Sequence, residues 1–141
     1  MSIAMPEASS KLRVLLVEAA ALLVDQVREL LATVGKVGEV MVVSTEHEAI
    51  RALSEFEPDL AIVDLKLKEG TGFGVLRSLT DAKSRPKVII FTNYSLPNYR
   101  QLSEIFGADY FLDKAKDFDT LPDIIESIDE VKSTRRRPLL H

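Results

Sequence analysis

Four polar residues stand at or just past the ends of short apolar runs. Glu18 follows LRVLLV, Asp64 follows LAIV, Thr92 follows VIIF, and Lys114 lies two residues beyond Leu112. Two carboxylates of this kind are the hard oxygen ligands that Mg²⁺ takes. A metal so held offsets charge on a phosphoryl oxygen, and a lysine ion-pairs with another. The hydroxyl of Thr92 can hydrogen-bond a third. A carboxylate is itself a phosphoryl acceptor that forms an aspartyl phosphate, and Asp64, central and following the most apolar run, is the natural nucleophile. A plain helix cap is the competing role for Asp64. The helical pattern resumes only near Phe73, nine residues on, too far for a direct cap.

The runs that carry these residues alternate with helical patterns. Strands are expected at Leu12 to Val17, Val37 to Val43, Leu60 to Asp64, Val88 to Phe91 and Ala108 to Leu112. A continuous apolar run such as LAIV suits a strand buried on both faces of a parallel sheet. The first helix spans Ala20 to Val34, with Leu22, Leu23, Val27, Leu30, Leu31 and Val34 on one stripe and Gly35 as its stop. Thr45 and Glu48 form a capping-box pattern for a second helix whose inner face is Ala49, Ile50 and Leu53. A third runs from about Phe73 to Leu79. Pro97 suits the first turn of a fourth, which contains Leu102, Ile105 and Phe106, and Gly107 closes it. The last, about Asp119 to Val131, buries Leu121, Ile124, Ile125, Ile128 and Val131. Five β-α units in strict alternation imply an α/β fold, a doubly wound five-stranded parallel sheet with helices on both faces. All strand C-termini then share one edge, where ligands bind in such sheets.

Composition narrows the chemistry. The 141 residues are one domain's worth, 46% apolar and 28% charged. A net charge of -4 argues against a nucleic-acid surface over the domain. With no cysteine and only His47 and His141, thiol chemistry is excluded, and a histidine zinc site or a Ser-His-Asp triad is disfavoured. Residues 1–10 show no export signal and read as a disordered tail. The stretch Leu12 to Val24, broken by Arg13 and Glu18, falls short of the ~18 apolar residues of a membrane span. A cytoplasmic protein is expected.

With these residues in place, the chain resembles the receiver domain of bacterial two-component response regulators over about residues 11–132, followed by a basic tail at 133–141. Glu18, Asp64, Gly72 (eight residues after Asp64), Thr92 and Lys114 match the family's motif positions. The resemblance implies a flavodoxin-like sheet of strand order 2-1-3-4-5 and a phosphorylation-controlled switch. Asp64 is then the phosphoacceptor, served by a histidine kinase or phosphotransfer protein. Mg²⁺ is held by Glu18, Asp64 and the backbone carbonyl of Lys66. Thr92 moves toward the phosphoryl group, and Phe111, at the position of the switch aromatic, turns inward. Signal leaves through protein contacts on the fourth helix, fifth strand and fifth helix, where homodimerisation is also a family expectation. No enzyme is implied beyond Mg²⁺-assisted self-phosphorylation and self-dephosphorylation, and no nucleic acid or membrane partner for this domain.

The match has gaps. Ala19 stands where the family has a second acid, the one that most often touches the metal, so Glu18 and Asp64 against Lys114 leave net -1 where the usual set leaves -2. By analogy with supporting groups at metal sites the loss weakens Mg²⁺ binding by ~10- to 100-fold. Ala115 replaces the proline after the lysine, Lys68 another proline, and Asn93 and Tyr94 are bulkier than usual beside Thr92. A degenerate pseudo-receiver, acting as an interaction module without Asp64 chemistry, is the alternative. An aspartyl phosphatase would want an acid at position 66, where Lys66 stands, and flavin binding a Gly/Ser/Thr-rich loop that EAAALLVDQ does not offer. Arg135 to Arg137 read as a solvated terminus or the start of a linker.

Overall fold

The computed structural model describes residues 11–82 and 84–129, and within them the apolar runs become five strands. These are β1 (Leu12–Val17), β2 (Val37–Val43), β3 (Leu60–Val63), β4 (Lys87–Thr92) and β5 (Tyr110–Asp113). Between and after them lie α1 (Ala21–Leu31), α2 (Glu46–Glu55), α3 (Gly72–Ser78), α4 (Pro97–Ile105) and α5 (Leu121–Glu126), the last preceded by a 3-10 turn at Phe118–Thr120. The strand order is β2-β1-β3-β4-β5 with every pair parallel. The alternation predicts the doubly wound parallel sheet, and the family resemblance its flavodoxin-like strand order. The order reverses between β1 and β3, so the connections leaving those two strands diverge and open a crevice at their C-terminal ends.

Strand periodicity sorts the core into two layers, because successive side chains point to opposite faces. Leu12, Val14 and Leu16 of β1 join Ile62, Ile89 and Phe91 under α1 and α5. Leu15 and Val17 join Ala61, Val63, Val88 and Ile90 under α2, α3 and α4. All four residues of β3 are fully buried, as its unbroken apolar run requires. At the other extreme, β2 is an edge strand whose residues are all half-buried or exposed.

Several element details differ from the sequence reading. Leu22 is 70% exposed and Ile50 is 37% exposed, off the inner stripes expected for both. The inner stripe of α2 is Ala49 and Ala52, buried, with Leu53 half-buried and the cap residue Phe56 buried beyond it, an i, i+3, i+4, i+7 pattern from which Ile50 is rotated by one residue. Leu22 is rotated off the Leu23, Val27, Leu30, Leu31 stripe in the same way. α1 ends at Leu31, not Val34, because Thr33 and Val34 turn back onto Leu30 and Leu31 with i to i-3 bonds. Val34 is buried all the same. β5 starts at Tyr110, later than Ala108; α5 starts at Leu121 because a 3-10 turn takes the residues before it, and it ends at Glu126, where Ser127 and Ile128 make i to i-3 bonds. Ile125 and Ile128 are buried as expected and Ile124 half-buried; Val131 and the two terminal tails lie outside the described residues. No helix among the described residues is long and apolar enough to cross a membrane.

The capping pattern of α2 forms with one change. Thr45 Oγ1 accepts the Glu48 N–H at 3.1 Å, while the Glu48 carboxylate accepts the N–H of Ser44, one residue before the cap, at 3.0 Å. That bond from Ser44 is the main cause holding the Glu48 carboxyl below its ordinary value of 4.5. Thr45→Ala is expected to lower stability by about 1 kcal/mol in urea unfolding at pH 7. A carboxyl with a depressed folded-state pKa stabilises above its unfolded value and loses that contribution as pH falls through the folded one. The stability gap between the protein and its Glu48→Gln variant should therefore narrow as pH drops below 4.5, and a gap unchanged down to acid unfolding contradicts this account.

Candidate functional site

Register brings the first two acids together. Val17 pairs with Val63 across β1 and β3, so Glu18 and Asp64, the next residues on each chain, emerge side by side at the crevice. Adjacent strands lie about 4.8 Å apart, and two bare carboxylates at that spacing repel. Lys114, just past the end of β5, reaches between them. Its Nζ lies 2.7 Å from Asp64 Oδ2 and 2.9 Å from Glu18 Oε1. All three side chains are nearly closed to solvent, at 8% for Lys114, 8% for Asp64 and 3% for Glu18. Backbone donors hold the remaining oxygens: Leu65 N–H donates to Asp64 Oδ1 at 2.7 Å and Ala20 N–H to Glu18 Oε2 at 3.1 Å. Each of the four carboxylate oxygens thus has a donor, as buried charge demands.

Thr92 closes β4 and is fully buried; its Oγ1 accepts the Tyr94 N–H at 3.1 Å, which leaves the hydroxyl hydrogen to donate elsewhere. Its carbonyl accepts the Lys114 N–H at 3.0 Å, so the hydroxyl and the ammonium sit on backbones tied to each other. Phe111 is already inward, 6% exposed within the layer under α2, α3 and α4, with the Arg100 guanidinium 4.7 Å above its ring. The inward turn expected of a switch aromatic is already made in this structure. Lys66 has its side chain exposed at the rim of a cavity of about 330 Å³ that Leu65, Phe73, Tyr94 and Tyr99 also line. Ala19 is exposed beside Glu18 and contributes a methyl group where the motif has an acid.

The loop from β3 to α3 is shaped by two glycines. A Cβ on Gly72 would strike the Asp64 carbonyl oxygen, so the chain passes this close to the acid only without a side chain. Gly70 has φ +80, and a Cβ there, or on Gly74, would collide with Glu46. The Glu46 carboxylate accepts the Thr71 N–H at 3.0 Å and its own N–H donates to the Glu69 carbonyl at 2.9 Å, tying this loop to α2. Thr71 itself caps α3 through Gly74 N–H at 3.2 Å, the role excluded above for Asp64. Sequence reasoning passed over Glu46, which lies 25 positions from its partner. It also passed over Thr71, although a Thr directly before a helix is a readable cap.

A family model for the response regulator receiver domain matches residues 14–126. The chain belongs to this family. The transcriptional regulatory protein YvfU of Bacillus subtilis (strain 168), itself uncharacterized, is 33% identical over 79 residues, 56% of this chain and 40% of its own length. The chain thus spans less than half of that relative. Among solved structures, a LuxR-family DNA-binding response regulator from Staphylococcus aureus superposes with a TM-score of 0.77 at 20% identity, covering 84% of this chain and 99% of that one. The receiver domain of a sensor histidine kinase from Pseudomonas aeruginosa PAO1, with a magnesium ion coordinated in its active site cleft, gives 0.72 at 21% identity, covering 82% and 95%. At these identities the two structures speak to the fold. Receiver domains bind Mg²⁺ in the active site. In this receiver domain the chemistry of the donor set fits such a cation, with two hard carboxylates on adjacent strands. The set is lean, since no group of three or more acidic, histidine or cysteine side chains that could hold a metal occurs among the described residues.

Removing the ammonium leaves two buried carboxylates side by side without a counter-charge. Lys114→Met is expected to destabilise the domain by about 3–5 kcal/mol at pH 7. Adding Glu18→Gln should restore part of the loss, a non-additivity that urea unfolding of the double variant reads directly.

Proposed function

We propose that this receiver domain is a phosphorylation-controlled switch in which Asp64 takes a phosphoryl group from a phosphohistidine of a histidine kinase or phosphotransfer protein. The observation that carries this reading is the Lys114 ammonium held 2.7 Å from Asp64 and 2.9 Å from Glu18 at the crevice where β1 and β3 part. Asp64 Oδ1 is bound to a backbone donor, the Leu65 N–H, whereas Oδ2 is bound to a side-chain ammonium that can shift to a phosphoryl oxygen, so Oδ2 is the attacking oxygen. The Oδ2–P bond forms as the P–N bond to the donor imidazole breaks, and the electron pair stays on that nitrogen. Lys114, already beside Oδ2, passes its hydrogen bond to an incoming phosphoryl oxygen, and Thr92 supplies its hydroxyl hydrogen to another. Mg²⁺, when bound, would be held by the carboxylates of Glu18 and Asp64 and the carbonyl of Lys66, and would offset the remaining phosphoryl charge. Ala19 leaves that binding weaker than a second acid would. The reaction is a single transfer onto the protein itself, reversed by self-dephosphorylation, and the domain is not an enzyme acting on a separate substrate.

Output then passes through protein contacts on α4, β5 and α5. Leu96, Leu102, Ile105 and Tyr110 are exposed apolar side chains on and around α4 and β5, and they support a downstream protein, or a second copy in a homodimer, as the occupant. A cytoplasmic setting, without nucleic acid or membrane contact by this domain, goes with the reading. Ala19 and the inward Phe111 favour a second one, a pseudo-receiver that binds its partner without Asp64 chemistry.

Intact-mass measurement after treatment with acetyl phosphate, with and without Mg²⁺, separates the two. One added phosphate, faster with Mg²⁺ and absent in Asp64→Asn, is the expected result. A mass that never changes rejects the switch and leaves the pseudo-receiver.

A further inference from the structure

Lys114 must keep a long, flexible side chain between two carboxylates, and its own backbone sits in a turn that lacks a proline ring to stiffen it. The residue before it supplies the stiffness. Asp113 Oδ1 accepts the N–H of Ala115 at 2.8 Å and of Lys116 at 3.0 Å, closing the turn around Lys114. Its Oδ2 accepts the Ser95 hydroxyl at 2.5 Å, which reaches across from the loop after β4. The backbone of Asp113 is fixed as well: its N–H donates to Asp117 Oδ2 at 2.9 Å, and its carbonyl accepts the Asp117 N–H at 2.8 Å. One carboxylate therefore joins the turn that presents Lys114 to the loop that begins at Thr92.

We propose that Asp113 is a positioning residue for the phosphoacceptor site, holding the Lys114 turn and, through Ser95, the loop that begins at Thr92 in one arrangement. The inference rests on the reading of Asp64 as phosphoacceptor for its effect on rate, but its effect on the resting site is independent of that reading. The Ser95 hydroxyl first, then the N–H of Lys116, hold the Asp113 carboxyl below its ordinary range, so it is an anion at neutral pH and a strong acceptor for all three donors. None of these hydrogen bonds involves Asp64, Glu18 or the Lys114 ammonium. Asp113 acts on the reaction only through where it leaves Lys114 and Thr92.

The test compares Asp113→Ala, Asp113→Asn and Ser95→Ala. Asparagine keeps an oxygen for the two backbone donors and can donate its amide N–H to Ser95, so it is the conservative rescue. Two readouts are taken on folded protein. One is the rate of Asp64 phosphorylation by acetyl phosphate with Mg²⁺. The other is the ¹H–¹⁵N resonance of the Lys114 ammonium in the unphosphorylated domain, assigned by its loss in the charge-keeping Lys114→Arg. Asp113→Ala is expected to slow phosphorylation by about 10- to 100-fold, the scale on which small misplacements act, and to broaden the ammonium resonance away. Asp113→Asn should stay near the parent in both, and Ser95→Ala should fall between. An ammonium resonance and rate unchanged in Asp113→Ala overturn the proposal, and so does Asp113→Asn behaving like Asp113→Ala. Should Asp113→Ala not fold, Ser95→Ala decides, with an unchanged resonance overturning it. A parent protein that takes no phosphate removes the phosphoacceptor reading alone, and the ammonium resonance still decides the positioning role.

Discussion

The site is organised by a charge imbalance that one side chain corrects. Parallel pairing of β1 with β3 in the Val17 to Val63 register forces Glu18 and Asp64 into adjacent positions, whatever their mutual repulsion. The Lys114 ammonium makes that arrangement tolerable, and all three groups are withdrawn from water. Burial sharpens every consequence, since attraction and desolvation both grow as the effective dielectric falls. The sheet order matters here as well. β5 lies two strands away from β3, so a long side chain such as that of Lys114 is needed to span the distance from beyond Leu112 to the two acids.

Much of this was legible in the residues themselves. LRVLLV and VGEVMVV are strands with the bounds their apolar runs announce, and LAIV is buried on both faces because a central parallel strand has no exposed side. The convergence of Glu18, Asp64 and Lys114 followed from putting all strand ends on one edge. Helix faces were read less well. Leu22 and Ile50 are apolar residues one step off their stripes, and apolar type alone does not say which step faces the core. Contacts between distant loops were not legible at all. The link of Ser95 to Asp113 joins two segments whose approach depends on how β4 and β5 pair, and no local pattern announces it.

The substitutions that depart from the family motif fall into two kinds. Ala19 removes an oxygen, and nothing nearby among the described residues replaces it, because both Glu18 oxygens already have partners. Ala115 removes a ring whose task was conformational, and the carboxylate of Asp113 constrains the same turn by hydrogen bonds. Loss of a ligand and loss of stiffness are therefore met differently: the first stays as a leaner donor set, the second is offset locally.

The Glu46 carboxylate fills the space that side chains at Gly70 and Gly74 would need. The two glycines are nonetheless unequal. At Gly74 a larger residue meets the far end of the Glu46 side chain, which can swing aside or be shortened to make room. At Gly70 it meets the Glu46 Cβ and a left-handed backbone, and shortening Glu46 relieves neither, so of the two only position 74 is free to grow at the cost of its neighbour.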